Sequence, residues 1–334
     1  MLNERVEKML PVAVFIFNKN SELMTRLSRV FDYLFVLRPT LFFPVWTVYA
    51  AGFFSAKRFL PETLQVDNSG WGLAVGIALS LLMGSAFILN QIVDVPTDKL
   101  NNKLFLIADG HISQPTAITE TILLALVPLA IVAMYSPMMV VMFVVIYLVT
   151  GLFYSLPLFK WKDRPFLGIF ANASGALLIF SAGWWVKNIS LFKPLLHAVP
   201  YAAAVAAVYI LTTIIDRKGD EKFNKVTIAV RYGMSVTVWL GMLCEILAVF
   251  SAWMLNDSLI FYPAILSFPF FIVAVKRQDA ADVIRAIKFP ILFLSLAICV
   301  LLPNYIALLT ITYYLSKWYY YHRFGLRYPN LEAK

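Results

Sequence analysis

Residues 71–98 read WGLAVGIALSLLMGSAFILNQIVDVPTD, a long apolar run that ends in amide and carboxylate side chains. No charged residue interrupts residues 71–93, and about 20 mostly apolar residues are enough to cross a bilayer. The run therefore predicts a membrane-spanning helix with a group of polar side chains at its end.

The whole 334-residue chain has the same character, since 61% of its residues are hydrophobic and only 14% are charged. Soluble domains carry about 25% charged residues. This composition excludes an ordinary soluble enzyme, a disordered chain and a nucleic-acid module. The net charge of +9 is expected to come from the basic flanks of membrane helices and not from a nucleic-acid surface.

Further apolar runs predict an all-α integral membrane protein, a bundle of nine transmembrane helices. The predicted helices cover residues 34–54, 71–93, 117–135, 137–154, 165–186, 195–215, 233–254, 258–275 and 289–314. No linker divides them. We expect a cytoplasmic amphipathic arm at residues 1–33, one nine-helix domain at residues 34–315 and a tail at residues 316–334.

The basic residues predict how the bundle is oriented. Most of the 28 Lys and Arg side chains fall on one predicted side of the membrane, and the positive-inside rule makes that side cytoplasmic. We expect the protein in the cell inner membrane, with its N-terminus and the acidic loops in the cytoplasm. An odd number of helices then predicts a C-terminus outside.

The first acidic group lies at the cytoplasmic end of the second predicted helix. Asn90, Asp94 and Asp98 follow at intervals of four residues, so a helical backbone places them on one face. Pro96 lies between the two acids and is expected to kink or end the helix.

A second acidic group lies at the matching end of the sixth predicted helix, where Asp216 and Asp220 are again four residues apart and Gly219 is expected to let the backbone leave the helix. Carboxylates at this spacing repel each other unless a cation lies between them. Mg²⁺ is typically bound by one or two carboxylates together with substrate phosphates. Two such pairs on one side favour a magnesium site, against the simpler interpretation that acids at helix ends face water.

Basic side chains near both groups are candidates for binding a diphosphate. They are Lys160 and Lys162 after the fourth predicted helix, and Lys222, Lys225 and Arg231 after the second acidic group. Lys160 and Lys162 follow a polar aromatic turn that begins at Tyr154. The alternative is that the positive-inside rule alone accounts for these residues.

These motifs resemble those of the UbiA superfamily of intramembrane prenyltransferases. Residues 90–98 are similar to its N-D-x-x-D-x-x-x-D motif, and residues 216–233 (DRKGDEKFNKVTIAVRYG) to its D-x-x-G-D-x-x-x-G-x-x-T-x-x-V-R-x-G motif. Residues 154–162 resemble the family's tyrosine–lysine segment, and Arg38 with Pro39 the Arg-Pro that opens its first helix. Gln91 replaces the usual Asp of the first motif, and Asn224 replaces a Gly of the second.

The resemblance implies a fold of nine helices and a Mg²⁺-dependent transfer of an isoprenyl group from a prenyl diphosphate to an acceptor in the membrane, an aromatic ring or a lipid-like alcohol. It implies that the metal is held by Asn90, Asp94, Asp98, Asp216 and Asp220, the four Asp being catalytic. It implies that the diphosphate is bound by Asn90, Arg38, Tyr154, Lys160, Lys162, Lys222 and Arg231.

Two further residues are candidates for an acceptor pocket. Glu245 lies within the seventh predicted helix, where a charge is costly, and Asn172 lies in the fifth. A buried glutamic acid with a hydrogen bond, and a packing hydrogen bond from Asn172, are the simpler interpretations. For the whole protein, the alternative function is a cation-coupled transporter whose Asp pairs bind the transported ions.

Overall fold

A computed structural model describes residues 29–66, 69–101, 105–326 and 328–329. Within these ranges all regular secondary structure is helical, which confirms the predicted all-α fold. Most of the expected amphipathic arm, residues 1–28, lies outside the described residues.

The main helices are α1 (Phe42–Phe59), α2 (Ser69–Asn101), α3 (Gln114–Ala133), α4 (Pro137–Tyr147), α5 (Pro165–Trp185), α6 (Phe192–Lys222), α7 (Ile228–Met254), α8 (Ser258–Arg277), α9 (Ala280–Leu301) and α10 (Asn304–Phe324). A π-helical turn over Leu148–Phe153 extends α4. Single short turns form at Asp32–Phe35, Pro39–Leu41, Glu62–Leu64, Phe105–Ala108 and Trp161–Asp163.

Within the described residues, eight helices are long and apolar enough to cross a membrane, and Pro137–Phe153 is a shorter apolar helix. The count of nine spans therefore stays a prediction. Most helices pack against their neighbours in sequence, as expected for antiparallel hairpins with short connections. Helix α1 packs against α5, and α9 packs against α6 and α1, so the helices enclose a central space.

Close backbone contact joins α1 to α5. A Cβ atom on Gly52 would overlap the carbonyl of Phe180, and one on Gly183 would overlap the carbonyl of Tyr49. Helices in membranes associate largely through small residues of this kind, because lipid offers no hydrophobic force to drive them together. These glycines fix one side of the central space.

The ninth predicted helix, residues 289–314, is wrong in its bounds. The structure ends α9 at Leu301, places Leu302 in a non-helical conformation and starts α10 at Asn304 directly after Pro303. Proline lacks the backbone N–H that a continuing helix needs, but it suits a helix start. Helix α10 runs across the boundary predicted between residues 315 and 316.

This break also corrects the predicted position of the C-terminal segment. The prediction placed it on the side of the membrane opposite the chain that enters α1. In the structure, Arg323 near the end of α10 forms an ion pair of 3.0 Å with Asp32, ten residues before α1. The described end of the chain therefore lies beside the segment that leads into α1.

Two expected helix ends are absent from the described structure. Helix α2 continues through Pro96 to Asn101, and α6 continues through Gly219 to Lys222. A proline inside a helix removes only its own backbone hydrogen bond, and such helices continue where packing compensates. Asp98 and Asp220 thus remain on regular helix, one turn beyond Asp94 and Asp216.

Candidate functional site

A cavity of about 1050 Å³ occupies the central space of the bundle. All four motif carboxylates, Asp94, Asp98, Asp216 and Asp220, line it. It continues between α1, α5, α6, α8 and α9 along mainly apolar side chains, among them Val48, Ile179, Val205, Ile260 and Leu294. The cavity therefore joins an acidic end to an apolar interior.

Asp94 is paired with two lysines. Lys162 Nζ donates to Asp94 Oδ2 at 2.6 Å, and Lys225 Nζ lies 3.6 Å from Asp94 Oδ1. Only 8% of the Lys162 side chain and 16% of the Asp94 side chain are exposed. Burial lowers the pKa of Lys162, while the neighbouring Asp94 carboxylate opposes that change.

Asp98 lies one helical turn beyond Asp94 and is buried. Burial and the adjacent Asp94 charge raise the pKa of Asp98 to about 7, against the opposite effect of Arg38, Lys225 and Lys162. Its Oδ2 atom has no hydrogen-bond partner among the described residues. A cation beside Asp98 would favour the ionised carboxylate and satisfy this oxygen.

The second acidic pair approaches the first through a shared lysine. Asp220 interacts electrostatically with Lys225 and with the carboxylates of Asp216 and Asp163. Because Lys225 also lies beside Asp94, it stands between the two acidic motifs. The arrangement brings together residues that are more than 120 positions apart in sequence.

The carboxylates form pairs and not a complete cage. In the described part of the chain, no three or more His, Cys, Asp and Glu side chains are grouped so that they would hold a metal ion. This donor set fits Mg²⁺, which is usually bound through one or two carboxylates while waters and substrate phosphates complete its octahedral shell. Asn90 adds an amide oxygen to the same wall of the cavity.

Arg38 lines the cavity beside the acidic residues. Its backbone has φ 56° and ψ 63°, and Pro39 follows as the first residue of a short turn. A left-handed conformation at a residue other than glycine stores strain and persists where the surroundings enforce it, commonly at functional sites.

Gln91 holds the chain that precedes Arg38, since its side-chain amide donates to the Val36 carbonyl at 2.7 Å. An aspartate at position 91 has no N–H to do this.

Tyr154 follows the π-helical turn directly and lines the cavity. Its hydroxyl lies near the side chains of Asn172 and Tyr209, and Asn172 donates to the Gly168 carbonyl at 2.9 Å. Local π-helical geometry is frequent at functional sites because it re-aims side chains. Asn172, a predicted acceptor-pocket residue, thus lines the same cavity near Tyr154.

The structure does not bring Lys160, Lys222 and Arg231 to the cavity. All three are exposed, and Arg231 stacks its guanidinium on the Tyr232 ring at 5.7 Å. The turn at Trp161–Asp163 directs Lys162 inward while Lys160 faces out. In the second motif Lys225 is the basic residue that reaches the site.

Sequence reasoning missed two lining residues, Asp163 and Tyr209. An acidic residue inside the basic run Lys160–Arg164 was the only local signal for Asp163. Asn224, which stands at a glycine position of the motif, has φ 53°. Asparagine and glycine are the residues that adopt this left-handed conformation most readily, so the replacement preserves the turn.

Comparison with known proteins now decides the family. A model of the UbiA prenyltransferase family matches residues 44–296. The chain belongs to the UbiA prenyltransferase family. The matched region contains both acidic motifs, but Asp32, Arg38 and α10 lie outside it.

Two plant enzymes are among the relatives of this UbiA family chain. Coumarin 8-geranyltransferase 1 of Citrus limon is 26% identical over 155 residues, which is 43% of this chain and 38% of the relative. Probable homogentisate phytyltransferase 2 of Oryza sativa subsp. japonica is 28% identical over 198 residues, 55% of this chain and 52% of the relative. The chain thus spans about half or less of the length of these relatives.

Solved structures show the same fold. A UbiA homologue from Archaeoglobus fulgidus, bound to DMAPP and Mg²⁺, superposes with a TM-score of 0.61 at 18% identity and covers 80% of this chain and 99% of its own. A digeranylgeranylglyceryl phosphate synthase gives a TM-score of 0.60 at 15% identity and covers 84% and 99%. The bundle of this chain therefore has the architecture of UbiA proteins.

Proposed function

We propose that this protein is a Mg²⁺-dependent intramembrane prenyltransferase, which moves an isoprenyl group from a prenyl diphosphate to a lipophilic acceptor. The observation that carries the proposal is the single cavity that joins paired carboxylates and buried cations to an apolar interior. The A. fulgidus homologue binds DMAPP with Mg²⁺, and a second structure of it binds GPP with Mg²⁺. Both ligands are prenyl diphosphates.

The charged end of the cavity suits a diphosphate. Lys162, Lys225 and Arg38 supply three positive charges, and Lys162 and Lys225 already lie within 3.6 Å of Asp94. Asn90, Asp94 and Asp98 on α2, with Asp216 and Asp220 on α6, would hold Mg²⁺. When bound, Mg²⁺ supplies the charge that neutralises the departing diphosphate.

The chain's own residues then favour cleavage of the bond between C1 of the prenyl group and the diphosphate oxygen. That oxygen keeps the bonding electron pair, and the ammonium of Lys162 and the guanidinium of Arg38 stabilise its growing charge. Because Asp94 holds the Lys162 ammonium in place before the substrate arrives, little reorganisation of that group opposes the step.

The apolar part of the cavity suits the prenyl chain and the allylic cation. Residues such as Val48, Ile179 and Leu294 exclude water, which would otherwise capture the cation. The acceptor's nucleophilic atom attacks C1 and afterwards loses its proton to the released diphosphate. Tyr154 lines the same cavity near Asn172 and Tyr209 and would orient the reacting groups.

The finer assignments follow from the same proposal. The site opens to the cytoplasm of a cell inner membrane, as the distribution of Lys and Arg favours. The acceptor is an aromatic ring or a lipid-like alcohol in the bilayer.

Mass spectrometry of the purified protein incubated with Mg²⁺, labelled geranylgeranyl diphosphate and a panel of acceptors tests the proposal. The panel includes homogentisate, a naphthalenediol and a glycerol phosphate lipid. A prenylated product that disappears with EDTA is expected. Release of diphosphate without any prenylated product would contradict the proposal. Ion flux in liposomes that needs no prenyl diphosphate would also contradict it and would favour a transporter.

A further inference from the structure

Glu245 is a buried acid in the apolar part of the cavity. It lies within α7, its side chain is fully buried, and it lines the cavity. Neither of its carboxyl oxygens has a hydrogen-bond partner among the described residues. It is therefore a polar group that faces the cavity with nothing in the described protein to satisfy it.

The packing of α7 against α6 places Glu245 well away from the diphosphate end. Gly241, one turn before Glu245, sits against Leu211 of α6. Because the two helices are antiparallel, Glu245 lies near the level of Val205, another lining residue. Val205 and Asp216 are eleven positions apart on α6. At a rise of about 1.5 Å per residue, this spacing is an axial distance of about 16 Å.

The surroundings of Glu245 differ from those of the motif acids. The lining residues on α8 and α9 are largely apolar, for example Pro263, Pro290 and Ile291, and Ser267 is the polar exception. Among the described residues, three cations line the cavity and are grouped around Asp94 and Asp98: Lys162, Lys225 and Arg38. An acid in such a setting is costly unless a ligand forms hydrogen bonds with it.

We propose that Glu245 binds a hydroxyl or carbonyl group of the lipophilic acceptor. This inference rests on the proposed function and adds a substrate class to it. The hydrocarbon tail of a prenyl diphosphate has no hydrogen-bonding group. A buried acid in a part of the cavity that bound only this tail would therefore stay without a hydrogen-bond partner. An acceptor with a neutral polar group distant from its reacting atom satisfies both carboxyl oxygens.

Thermal-shift titrations test this inference without relying on turnover. The probes are 1,4-dihydroxynaphthalene and its dimethoxy analogue, and geranyl diphosphate with Mg²⁺ reports on the donor site. In the wild type, the dihydroxy probe is expected to bind more tightly. Glu245→Leu is expected to weaken its binding about 10-fold, the usual scale of one or two lost hydrogen bonds. Glu245→Gln, which keeps a donor and an acceptor, retains most of the binding.

The matched control is Glu120→Leu, since Glu120 is a partly buried acid on α3 that does not line the cavity. It is expected to bind both probes as the wild type does. Equal binding of the dihydroxy probe by Glu245→Leu and wild type would overturn the inference, even if prenyl transfer is observed. Binding that depends on Glu245 without any prenylated product would instead contradict the proposed function alone.

A second, independent observation concerns α10, which lies outside the family-matched region. Arg323 donates from Nε and Nη2 to the two carboxylate oxygens of Asp32 at 3.1 and 3.0 Å. Tyr319 donates to Asp32 Oδ1 at 2.6 Å. The Tyr319 ring stacks on Phe35 with centroids 3.9 Å apart. The end of α10 is thus firmly attached to the segment that carries Arg38.

The same end of the chain forms part of the cavity wall. Tyr320, Leu326 and Tyr328 line the cavity together with Arg38, and the Tyr328 hydroxyl lies 3.2 Å from the Thr40 hydroxyl. Arg38 has a left-handed backbone, a strained conformation that persists where the surrounding structure enforces it. We infer that the C-terminal helix positions Arg38 for the diphosphate, and that Asp32 and Arg323 are positioning residues.

Kinetics of Arg323→Lys and Tyr319→Phe test this role. Arg323→Lys keeps the charge but loses the two-point contact. We expect KM for geranylgeranyl diphosphate to rise about 10-fold and kcat to fall as well, because Arg38 is proposed to act both in diphosphate binding and in bond cleavage. Tyr319→Phe keeps the ring stack and is expected to show a smaller rise in the same direction.

The matched control is Arg285→Lys, which alters the Asp282–Arg285 ion pair of α9, away from the cavity. It is expected to leave KM unchanged. An unchanged KM for geranylgeranyl diphosphate in folded Arg323→Lys would overturn the positioning role.

Discussion

Asp94→Asn is expected to lower the rate of prenyl transfer by about 10³-fold or more. Asp94 lines the cavity and contacts both Lys162 and Lys225. Its replacement removes a proposed metal ligand and also releases the two cations that would face the diphosphate. Removing one fixed electrostatic group from an active site commonly costs about 10²–10³ in rate, and here several are affected together. Product formation by mass spectrometry gives the measurement.

Stability must be separated from catalysis in this experiment. Losing one partner of a buried ion pair destabilises a protein by about 3–5 kcal/mol, so the melting temperature of Asp94→Asn is measured in the same detergent. Asp220→Asn provides a second variant in the other motif, where Lys162 keeps its partner. Both are expected to remain folded and inactive.

The neighbouring acid Glu221 supplies a matched control for Asp220. It is exposed, forms an i,i+4 pair of 2.8 Å with Arg217 and does not line the cavity. Glu221→Gln is expected to keep its activity within about 3-fold, since exposed ion pairs contribute little. Wild-type turnover in Asp94→Asn or Asp220→Asn would refute the proposed chemistry.

Lys162→Met is expected to lower kcat/KM for the prenyl diphosphate by about 10²–10³-fold. Methionine keeps most of the length and apolar contact of the side chain but removes the charge. Because Lys162 is buried within 2.6 Å of Asp94, neither water nor an exposed lysine takes its place. Steady-state kinetics with varied geranylgeranyl diphosphate would show a lower kcat as well as a higher KM.

Lys218→Met is the control for a general loss of positive charge. Lys218 belongs to the second motif, is exposed and does not line the cavity. We expect it to behave nearly as the wild type. If Lys162→Met and Lys218→Met lowered kcat/KM equally, the proposed role of the buried Lys162 ammonium in catalysis would be wrong.

Local pattern predicted the acidic motifs well because their geometry depends on one helix at a time. Asn90, Asp94 and Asp98 share a face because helical neighbours repeat every three to four residues, and α2 places all three on the cavity. The predicted break at Pro96 failed because that argument considered a helix without its neighbours.

The basic residues illustrate the opposite case. Lys160 and Lys162 are two positions apart and chemically identical in sequence, yet one is exposed and the other is buried against Asp94. The short 3-10 turn at Trp161–Asp163 makes the two side chains point in different directions. Likewise, Lys222 at the end of α6 is exposed, whereas Lys225 just after α6 lies beside Asp94. The orientation of loop side chains follows from contacts with other helices, which no local spacing encodes.

By itself, the sequence determined that this is a helical membrane protein, that two carboxylate pairs lie at helix ends and that both belong to a UbiA pattern. Length, apolarity and the helical repeat are properties of short segments, and they need no knowledge of packing. Only the tertiary structure decided that Lys162 and Lys225 face Asp94, that Glu245 faces the apolar cavity and that α10 returns to Asp32. Each of these features depends on contacts between segments that are distant in the chain. Such contacts contribute to the free energy of folding only once the helices have packed together.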